Sequence, residues 1–362
     1  MSFKRICKVL AVIASGTFGL AGCGGSSGGE ATGTLKIGLT DGPVDNAVAV
    51  FIQFTGLELK PAGGPPEIHE LDASSCDDFD TAGNCTIDLL QLQGTESRTL
   101  FAKNLPAGEY QWVRLLVNAE QNVNDSYVTL LDDMENTMDC PLWIPSGGET
   151  GLKIVSGVTV TANGVSSYML DFDARTSITA PPGLPSPSIE CLQNYVLKPA
   201  IRIVDETEVG SIAGTVDPSV LTTLNAQGEE VFVDGCRDEE PDGIVDFLDV
   251  YVLESINGSA AVDDYDGVDD PITSAIAKWN AATSLYEYEV GYLLEGEYRL
   301  GLTCTADKDV MPGQDGMVAD NFGCDLTDPT TCVATDPPFG FVGELDVSVV
   351  ADTLNDGNFL AP

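Results

Sequence analysis

Ala47-Val-Ala-Val-Phe-Ile-Gln-Phe-Thr-Gly-Leu-Glu-Leu-Lys60 is the stretch of sequence that says most about the fold. It is rich in Val, Ile, Leu and Phe, residues that fit the pleated surface of a sheet. In its second half, apolar and polar residues alternate, as they do in a strand with one buried face. The stretch therefore predicts a β-strand.

Segments of the same kind occur on both sides of this strand, each bounded by Gly, Pro, Asn or Asp. They are Thr34–Thr40, Tyr110–Asn118, Gly151–Thr161, Ser167–Asp173 and Val196–Val204. No stretch shows a long apolar stripe with helical spacing. We expect an all-β protein.

A boundary between two domains is predicted at the acidic, polar segment Asp205–Val209. Gly210–Val216 then resembles a new first strand. We expect two β-sandwich domains, of immunoglobulin-like or prealbumin-like type, over residues 34–207 and 210–362.

The two halves also repeat a local pattern. Leu105-Pro-Ala-Gly-Glu-Tyr110 leads into one apolar strand, and Leu294-Glu-Gly-Glu-Tyr298 leads into another. In both, a turn containing Gly precedes a strand that begins with Tyr. Val48–Ile52 likewise parallels Leu248–Leu253, so two sandwiches of related type explain the repetition.

The N-terminus has the layout of a secretory signal. Three basic residues within Met1–Lys8 precede an apolar run from Val9 to Leu20. This run is about a dozen residues, shorter than the roughly 20 that span a bilayer as a helix. We expect residues 1–22 to be a removed signal peptide.

Leu20-Ala-Gly-Cys23 resembles the lipobox of bacterial lipoproteins, which implies a lipid on Cys23 after cleavage. Residues 24–33 are almost entirely Gly, Ser, Ala and Thr, and form a flexible tether in this interpretation. Gly24 stands where an Asp would favour the inner membrane. We therefore expect an outer-membrane lipoprotein of the cell envelope, with the membrane as its first partner.

The chain is strongly acidic, with a formal net charge of -41. Removal of the signal leaves 13 basic and 57 acidic residues, a net charge of -44. This excludes nucleic acid as a partner, because such binding depends on cationic contacts to phosphates. The acidity is compatible with divalent cations, a saline environment, or an unknown protein or glycan partner.

Eight cysteines remain beyond Cys7 and Cys23, an even number that predicts disulfides in an oxidising compartment. Pairing within each half leaves three connectivities per half. Short polar loops favour pairs between the first two and between the last two cysteines. The expected pairs are Cys76–Cys85, Cys140–Cys191, Cys236–Cys304 and Cys324–Cys332.

Asp263-Asp-Tyr-Asp-Gly-Val-Asp-Asp270 is the densest acidic cluster. Oxygen ligands around a Gly suit calcium, although the downstream Glu of an EF-hand loop is missing. The alternative is a solvated acidic loop. The candidate calcium ligands are Asp263, Asp264, Asp266, Asp269 and Asp270.

A second candidate site consists of Asp171, Asp173 and Arg175, which alternate along one predicted strand and should share a face. They could bind a ligand, but an ion-pair ladder completed by Arg202 is favoured. His69 is the only histidine and is expected in an exposed loop, so sites with several histidines are excluded.

The first half contains a series of motifs, which are, in order, Gly38–Ala47, Val50–Lys60, Leu105–Tyr110, Ile144-Pro-Ser-Gly, Gly151-Leu-Lys-Ile, Leu170–Ile178 and Tyr195–Arg202. With these motifs, roughly residues 33–205 resemble the bacterial lipoprotein domain known as domain of unknown function 4382. The second half resembles, more loosely, carboxypeptidase-regulatory-like or prealbumin-like sandwiches, with acidic Cys-bearing loops inserted. The resemblance implies a β-sandwich at an envelope surface and no established activity.

These features favour a non-enzymatic binding or adhesion module, or a structural component of the envelope. The alternative is an envelope hydrolase that cleaves glycans with two carboxylates. A pair of acidic residues beside aromatic side chains in one cleft would favour the hydrolase.

Overall fold

The structure is a computed structural model that describes residues 31–42, 47–131, 136–145, 152–154, 156–179, 195–198, 200–233, 235–238, 243–255, 271–306 and 340–360. The predicted signal peptide, Cys23, most of the tether and the whole acidic cluster 263–270 lie outside these residues. Among the described residues, no helix has the length and hydropathy of a membrane span.

The described residues form 25 strands, one short α-helix, α1, at Ala174–Ser177, and three 3-10 helices at Ala73–Ser75, Leu89–Leu92 and Pro218–Val220. Strands β1 to β8 are Thr32–Asp41, Ala47–Pro61, Glu67–His69, Asp78–Phe79, Cys85–Asp88, Arg98–Pro106, Gly108–Asn118 and Tyr127–Leu131. Strands β9 to β15 are Thr137–Trp143, Leu152–Ile154, Val158–Val160, Val165–Asp173, Ile178–Thr179, Tyr195–Leu197 and Ala200–Asp205. Strands β16 to β25 are Val209–Val216, Thr222–Leu224, Glu230–Phe232, Asp249–Glu254, Thr273–Ile276, Lys278–Asn280, Leu285–Leu294, Gly296–Thr303, Phe341–Val349 and Leu354–Asp356.

The N-terminal half, up to residue 205, contains two sheets. The smaller has the order β15-β12-β1-β6, and the larger has β10-β7-β2-β8-β9-β14-β13 as its main path, with β3, β4, β5 and β11 beside it. Alternate residues of β1, such as Leu35, Ile37 and Leu39, are fully buried in the core with Ile52 and Phe54 of β2. Alternation along these strands therefore gives each sheet one apolar face, as the sequence predicts.

The C-terminal half, from residue 209, has its own core between two four-stranded sheets, β21-β22-β16-β25 and β20-β19-β23-β24. Ile212 on β16 and Leu300 on β23 are both fully buried there. Strands β17 and β18 form a separate hairpin. The all-β expectation is confirmed.

Both halves use the same turn between sheets. In the first half, β6 belongs to the smaller sheet and β7 to the larger. In the second half, β22 belongs to one four-stranded sheet and β23 to the other. The Tyr110 hydroxyl donates to the Pro106 carbonyl at 3.1 Å, and Tyr298 donates to Leu294 at 2.7 Å. Each is a tyrosine corner, which is the structural basis of the repeated sequence pattern.

The parallel pairing of the first strand with a much later strand is also shared. Strand β1 pairs in parallel with β12, and β16 pairs in parallel with β25. On its other side each pairs with an antiparallel strand, β6 or β22. The two halves therefore have corresponding strand arrangements around their first strands.

Two of the expected disulfides are present, Cys76–Cys85 and Cys236–Cys304. Cys140 is also disulfide-bonded. Cys191, Cys324 and Cys332 lie outside the described residues.

Two predicted strands are divided. Gly151–Thr161 contains β10 and β11 as separate short strands, both paired with β7. Val196–Val204 is divided between β14 and β15, which lie in different sheets. Pro199 lies between these two strands, and proline cannot donate a backbone hydrogen bond to a sheet.

Candidate functional site

Three carboxylates meet where β1 and β12 end, at the junction between the two halves, which we call the seam. Thr40 is the register partner of Asp171, and Asp41 is the register partner of Phe172. Because the strands are parallel, their C-terminal ends lie at the same edge of the sheet. This arrangement brings Asp41, Asp171 and Asp173 close together.

Asp41 is the most deeply buried of the three, with 3% of its surface exposed. Its Oδ1 accepts a hydrogen bond from the Ala174 amide at 3.0 Å. Its Oδ2 is buried and has no hydrogen-bond partner among the described residues. Burial, followed by the nearby charge of Asp173, raises the pKa of Asp41 well above its usual value.

Asp171 and Asp173 have different partners. Oδ2 of Asp171 lies 2.5 Å from Nε of Arg202, as an ion pair. Asp173 caps helix α1 by accepting a hydrogen bond from the Thr176 amide at 3.0 Å. Burial raises the pKa of Asp173 to about 6.

Arg175 corrects the prediction that all three charged residues lie on one strand face. Strand β12 ends at Asp173, and Arg175 belongs to the helical turn that follows. Its side chain crosses the seam, where Nη2 lies 2.8 Å from Oδ2 of Asp249 and Nη1 donates to the Tyr251 hydroxyl at 2.5 Å. Asp249 and Tyr251 are two residues apart on β19, so both side chains lie on one face.

A loop at Gly94–Glu96 forms another part of the seam. The Thr40 hydroxyl oxygen lies 2.9 Å from the carbonyl oxygens of both Leu92 and Glu96, which share its one proton, and this contact fixes the loop beside β1. The Tyr292 hydroxyl donates to the Thr95 carbonyl at 3.2 Å. A Cβ at Gly291 would lie 2.5 Å from the Gly94 carbonyl oxygen, so the backbones approach closely because Gly291 has no side chain.

A small, partly open cavity of about 10 Å³ lies within the seam. Its volume suits one atom-sized ligand, such as a water molecule or an ion. It is lined by three carboxylates, four hydroxyl-bearing residues and backbone. The lining residues are Thr40, Asp41, Gly94, Asp171, Thr273, Ser274, Glu289, Val290, Gly291 and Tyr292.

An open groove of about 740 Å³ lies next to this cavity and shares Gly94 and Glu289 with it. Trp279 lines the groove and packs edge-on against Tyr286, with ring centroids 5.0 Å apart. Glu287 and Glu289 lie two apart on β22 and share a face.

Glu287 is already hydrogen-bonded within its own turn. One oxygen accepts from Asn280 at 2.9 Å and the other from Thr283 at 3.0 Å. The groove thus combines an acidic pair with an aromatic side chain. This is the combination that would favour the hydrolase alternative. One member of the pair, however, is occupied in holding the turn.

The other metal and histidine predictions have different outcomes. The candidate calcium ligands Asp263, Asp264, Asp266, Asp269 and Asp270 lie outside the described residues. Within the described ranges, no three Asp, Glu, His or Cys side chains form a ready-made metal site.

His69 is not in an exposed loop. It is half-buried on β3, where its ring lies edge-on to Phe101 at 5.4 Å. Burial, followed by the charge of Lys103, lowers its pKa.

Sequence reasoning did not single out Asp41, Asp249 or the groove. Asp41 lies in Leu39-Thr-Asp-Gly-Pro43, which has the composition of a turn. Asp249 is 74 residues from Arg175, and nothing local in the sequence connects them.

Comparison with known proteins identifies a domain in the first half. Residues 32–199 match the family described as domain of unknown function DUF4382. No curated protein matches the chain.

Solved structures offer only distant similarities. The major pilin subunit of Bacillus cereus has 9% identity and a TM-score of 0.17, with 90% of this chain and 70% of that chain covered. The major pilin of Streptococcus pyogenes has 10% identity and a TM-score of 0.12, with 76% and 82% covered. TM-scores of this size do not indicate a shared fold.

Proposed function

We propose that this protein, whose residues 32–199 carry the domain of unknown function DUF4382, is a non-catalytic binding protein of the bacterial cell envelope. A lipid on Cys23 anchors it to the outer membrane, and two β-sandwich domains form its extracytoplasmic part. The groove beside the seam binds its ligand.

The groove is the observation that carries this proposal. It is open, has a volume of about 740 Å³, and has Trp279 in its wall. Polar side chains line the same groove, including Gln93, Lys278, Asn280 and Asn358. An aromatic face bordered by hydrogen-bonding groups suits a glycan, which has both apolar C–H faces and hydroxyl groups.

Binding without hydrolysis fits the positions of the acidic residues. Glycoside hydrolysis needs two carboxylates on either side of a substrate bond. Asp41 and Asp173 have raised pKa values, as a general acid requires, but both are buried in the seam. In the groove itself, Glu287 is engaged by Asn280 and Thr283.

The seam also supports a mechanical role. The Arg175–Asp249 pair and the contacts of the Gly94–Glu96 loop join the two halves through buried polar groups. A groove formed by residues from both halves keeps its shape only if the halves are held together. The same contacts thus serve binding and rigidity.

A glycan array tests the binding proposal. The mature chain with Cys23→Ser is compared with the same chain carrying Trp279→Ala, and Trp112→Ala serves as a control tryptophan away from the groove. We expect glycan binding that Trp279→Ala removes and Trp112→Ala retains. Binding that survives Trp279→Ala would contradict the proposed site.

The hydrolase alternative has its own measurement. Each bound glycan is incubated with the protein, and newly released reducing ends are quantified. Release that disappears with Glu289→Gln would replace the binding proposal with the enzyme.

Membrane attachment is tested in cells. The full chain is expressed in a Gram-negative host with a clickable fatty acid, and membranes are fractionated. We expect a lipid label in the outer-membrane fraction that Cys23→Ala abolishes. A labelled Cys23→Ala protein would contradict the proposed anchor.

A further inference from the structure

We propose that the seam cavity binds one calcium ion, which joins the two halves of the protein. This site is separate from the acidic cluster 263–270 and does not depend on the proposed glycan binding.

The unpartnered oxygen of Asp41 is the first reason. A buried carboxylate oxygen without a hydrogen bond is costly, because it has lost its contacts with water and gained none from the protein. Oδ2 of Asp41 is in this position among the described residues, and Asp41 lines the cavity. A cation in the cavity would provide the missing partner.

The charge around the cavity is the second reason. Asp41, Asp171 and Glu289 bring three carboxyl groups to its wall, which carry three negative charges when a bound cation keeps all of them ionised, and Arg202, paired with Asp171, contributes one positive charge. The resulting charge of about -2 equals that needed to neutralise one divalent cation. Asp41 and Asp171 are buried, whereas Glu289 is exposed. The two buried carboxylates repel each other strongly when both are charged, because little water screens them.

The neutral oxygens of the cavity favour calcium over magnesium. Calcium accepts a mixed shell of carboxylate, hydroxyl and carbonyl oxygens, whereas magnesium usually retains several waters. A cavity of about 10 Å³ has no room for those waters. The hydroxyls of Thr273 and Ser274 and the nearby backbone carbonyls complete the proposed shell, so three converging acidic ligands are not required.

The cavity is built from both halves of the chain. Thr40, Asp41 and Asp171 come from the first half, and Thr273 and Glu289 come from the second. A Cβ at Gly42 would lie 3.3 Å from Oγ1 of Thr273, which places this threonine against the residue next to Asp41. An ion bound here would therefore bridge the seam, and its removal would loosen it.

Calcium-dependent thermal unfolding tests the proposal. The mature chain with Cys23→Ser is stripped with a chelator and melted with no added metal, with CaCl2, or with MgCl2 at equal ionic strength. About 10 mM metal is sufficient, because extracellular calcium sites bind with a Kd of about 10⁻⁴–10⁻³ M. We expect Ca²⁺ to raise the Tm by a few degrees more than Mg²⁺ does.

Variants locate the ion. Asp41→Asn keeps the size of the side chain but removes its charge. It should raise the Kd for calcium, measured by calorimetry, by about tenfold or more. Thr273→Val changes a residue on the other side of the seam and should also raise the Kd for calcium. It provides a second test if Asp41→Asn does not fold. Asp217→Asn, at an exposed turn cap, is the matched control and should bind as the parent does.

Three results would overturn the proposal. They are a stripped protein that does not respond to Ca²⁺, an equal response to Mg²⁺, and an unchanged calcium affinity in both Asp41→Asn and Thr273→Val. In the last case, a response lost from a triple Asp263→Asn, Asp266→Asn, Asp270→Asn variant would move the site to the acidic cluster.

Discussion

Arg175 and Asp249 form an ion pair across the seam, with Nη2 and Oδ2 2.8 Å apart and at most 4% of either side chain exposed. The ring of Tyr251 packs against the same guanidinium, with Cζ of Arg175 5.2 Å from the ring centre. Buried pairs of this kind lose much of their attraction to desolvation, but loss of one member leaves a buried charge. The pair therefore holds the two halves together in a specific arrangement.

Arg175→Met should destabilise the protein by about 3–5 kcal/mol, because it leaves Asp249 buried without its cation. Adding Asp249→Leu should recover part of this loss, since the buried carboxylate that paired with Arg175 is then removed as well. Arg299→Met, in a more exposed ion pair, is the control and should cost about 1 kcal/mol or less. The measurement is the free energy of unfolding in denaturant. Equal losses of stability at both arginines would contradict the special role of the Arg175–Asp249 pair.

Asp173 should make stability fall as the pH rises from 3.8 to about 6. Its folded-state pKa is raised, so the folded protein holds this proton more tightly than the unfolded chain, and the resulting stability is lost as the proton leaves. Asp173→Asn should flatten that part of the pH profile while retaining the helix cap, because Asn also caps well.

The measurement is a series of denaturant titrations across this pH range, with the variant's profile subtracted from that of the parent. Asp217→Asn is the control, because hydrogen bonds from Ser219 lower the pKa of Asp217 instead of raising it. A difference profile for Asp173→Asn that is flat, or that rises with pH, would show that the carboxylate is not held in its protonated form.

Gly291→Ala should destabilise the protein by disturbing the contact between Gly291 and the Gly94 loop. The added methyl group would lie 2.5 Å from the Gly94 carbonyl oxygen, and overpacking of this kind costs about 1–3 kcal/mol. Gly63→Ala meets no atom within 4 Å and should change stability by about 0.5 kcal/mol or less. Comparable melting temperatures for the two variants would mean that the loop contact is not tight.

Of the two disulfides described, Cys236–Cys304 should contribute more stability. It joins residues 68 apart, whereas Cys76–Cys85 joins residues 9 apart, and a longer loop loses more entropy in the unfolded chain when it is closed. Replacing Cys236 and Cys304 with Ala should cost about 2–5 kcal/mol. The same replacement at Cys76 and Cys85 should cost less when measured by the same unfolding titration, and the reverse order would contradict the entropic explanation.

The fold was predictable from local patterns, and the seam was not. Alternation in Ala47–Lys60 and the turns before Tyr110 and Tyr298 are local signals, and each identifies a feature that the structure contains. Arg175 was misplaced because its own strand ends two residues earlier, at a cap that only the path of the backbone reveals. The role of Asp41 depends on residues from β20 and β22, which approach it only after both sandwiches have formed.

The parallel pairing of β1 with β12 and of β16 with β25 has a consequence for how the chain folds. In each half, the first strand cannot complete its pairing until a strand from much later in the same half has emerged, since Thr34 pairs with Val165 and Ser211 with Leu354. A chain that emerges N-terminus first must therefore leave one edge of each first strand unpaired for most of its passage. Such long-range pairings slow folding and expose strand edges to other chains. Until the later strand arrives, the unpaired edge of each first strand would therefore need protection from other chains.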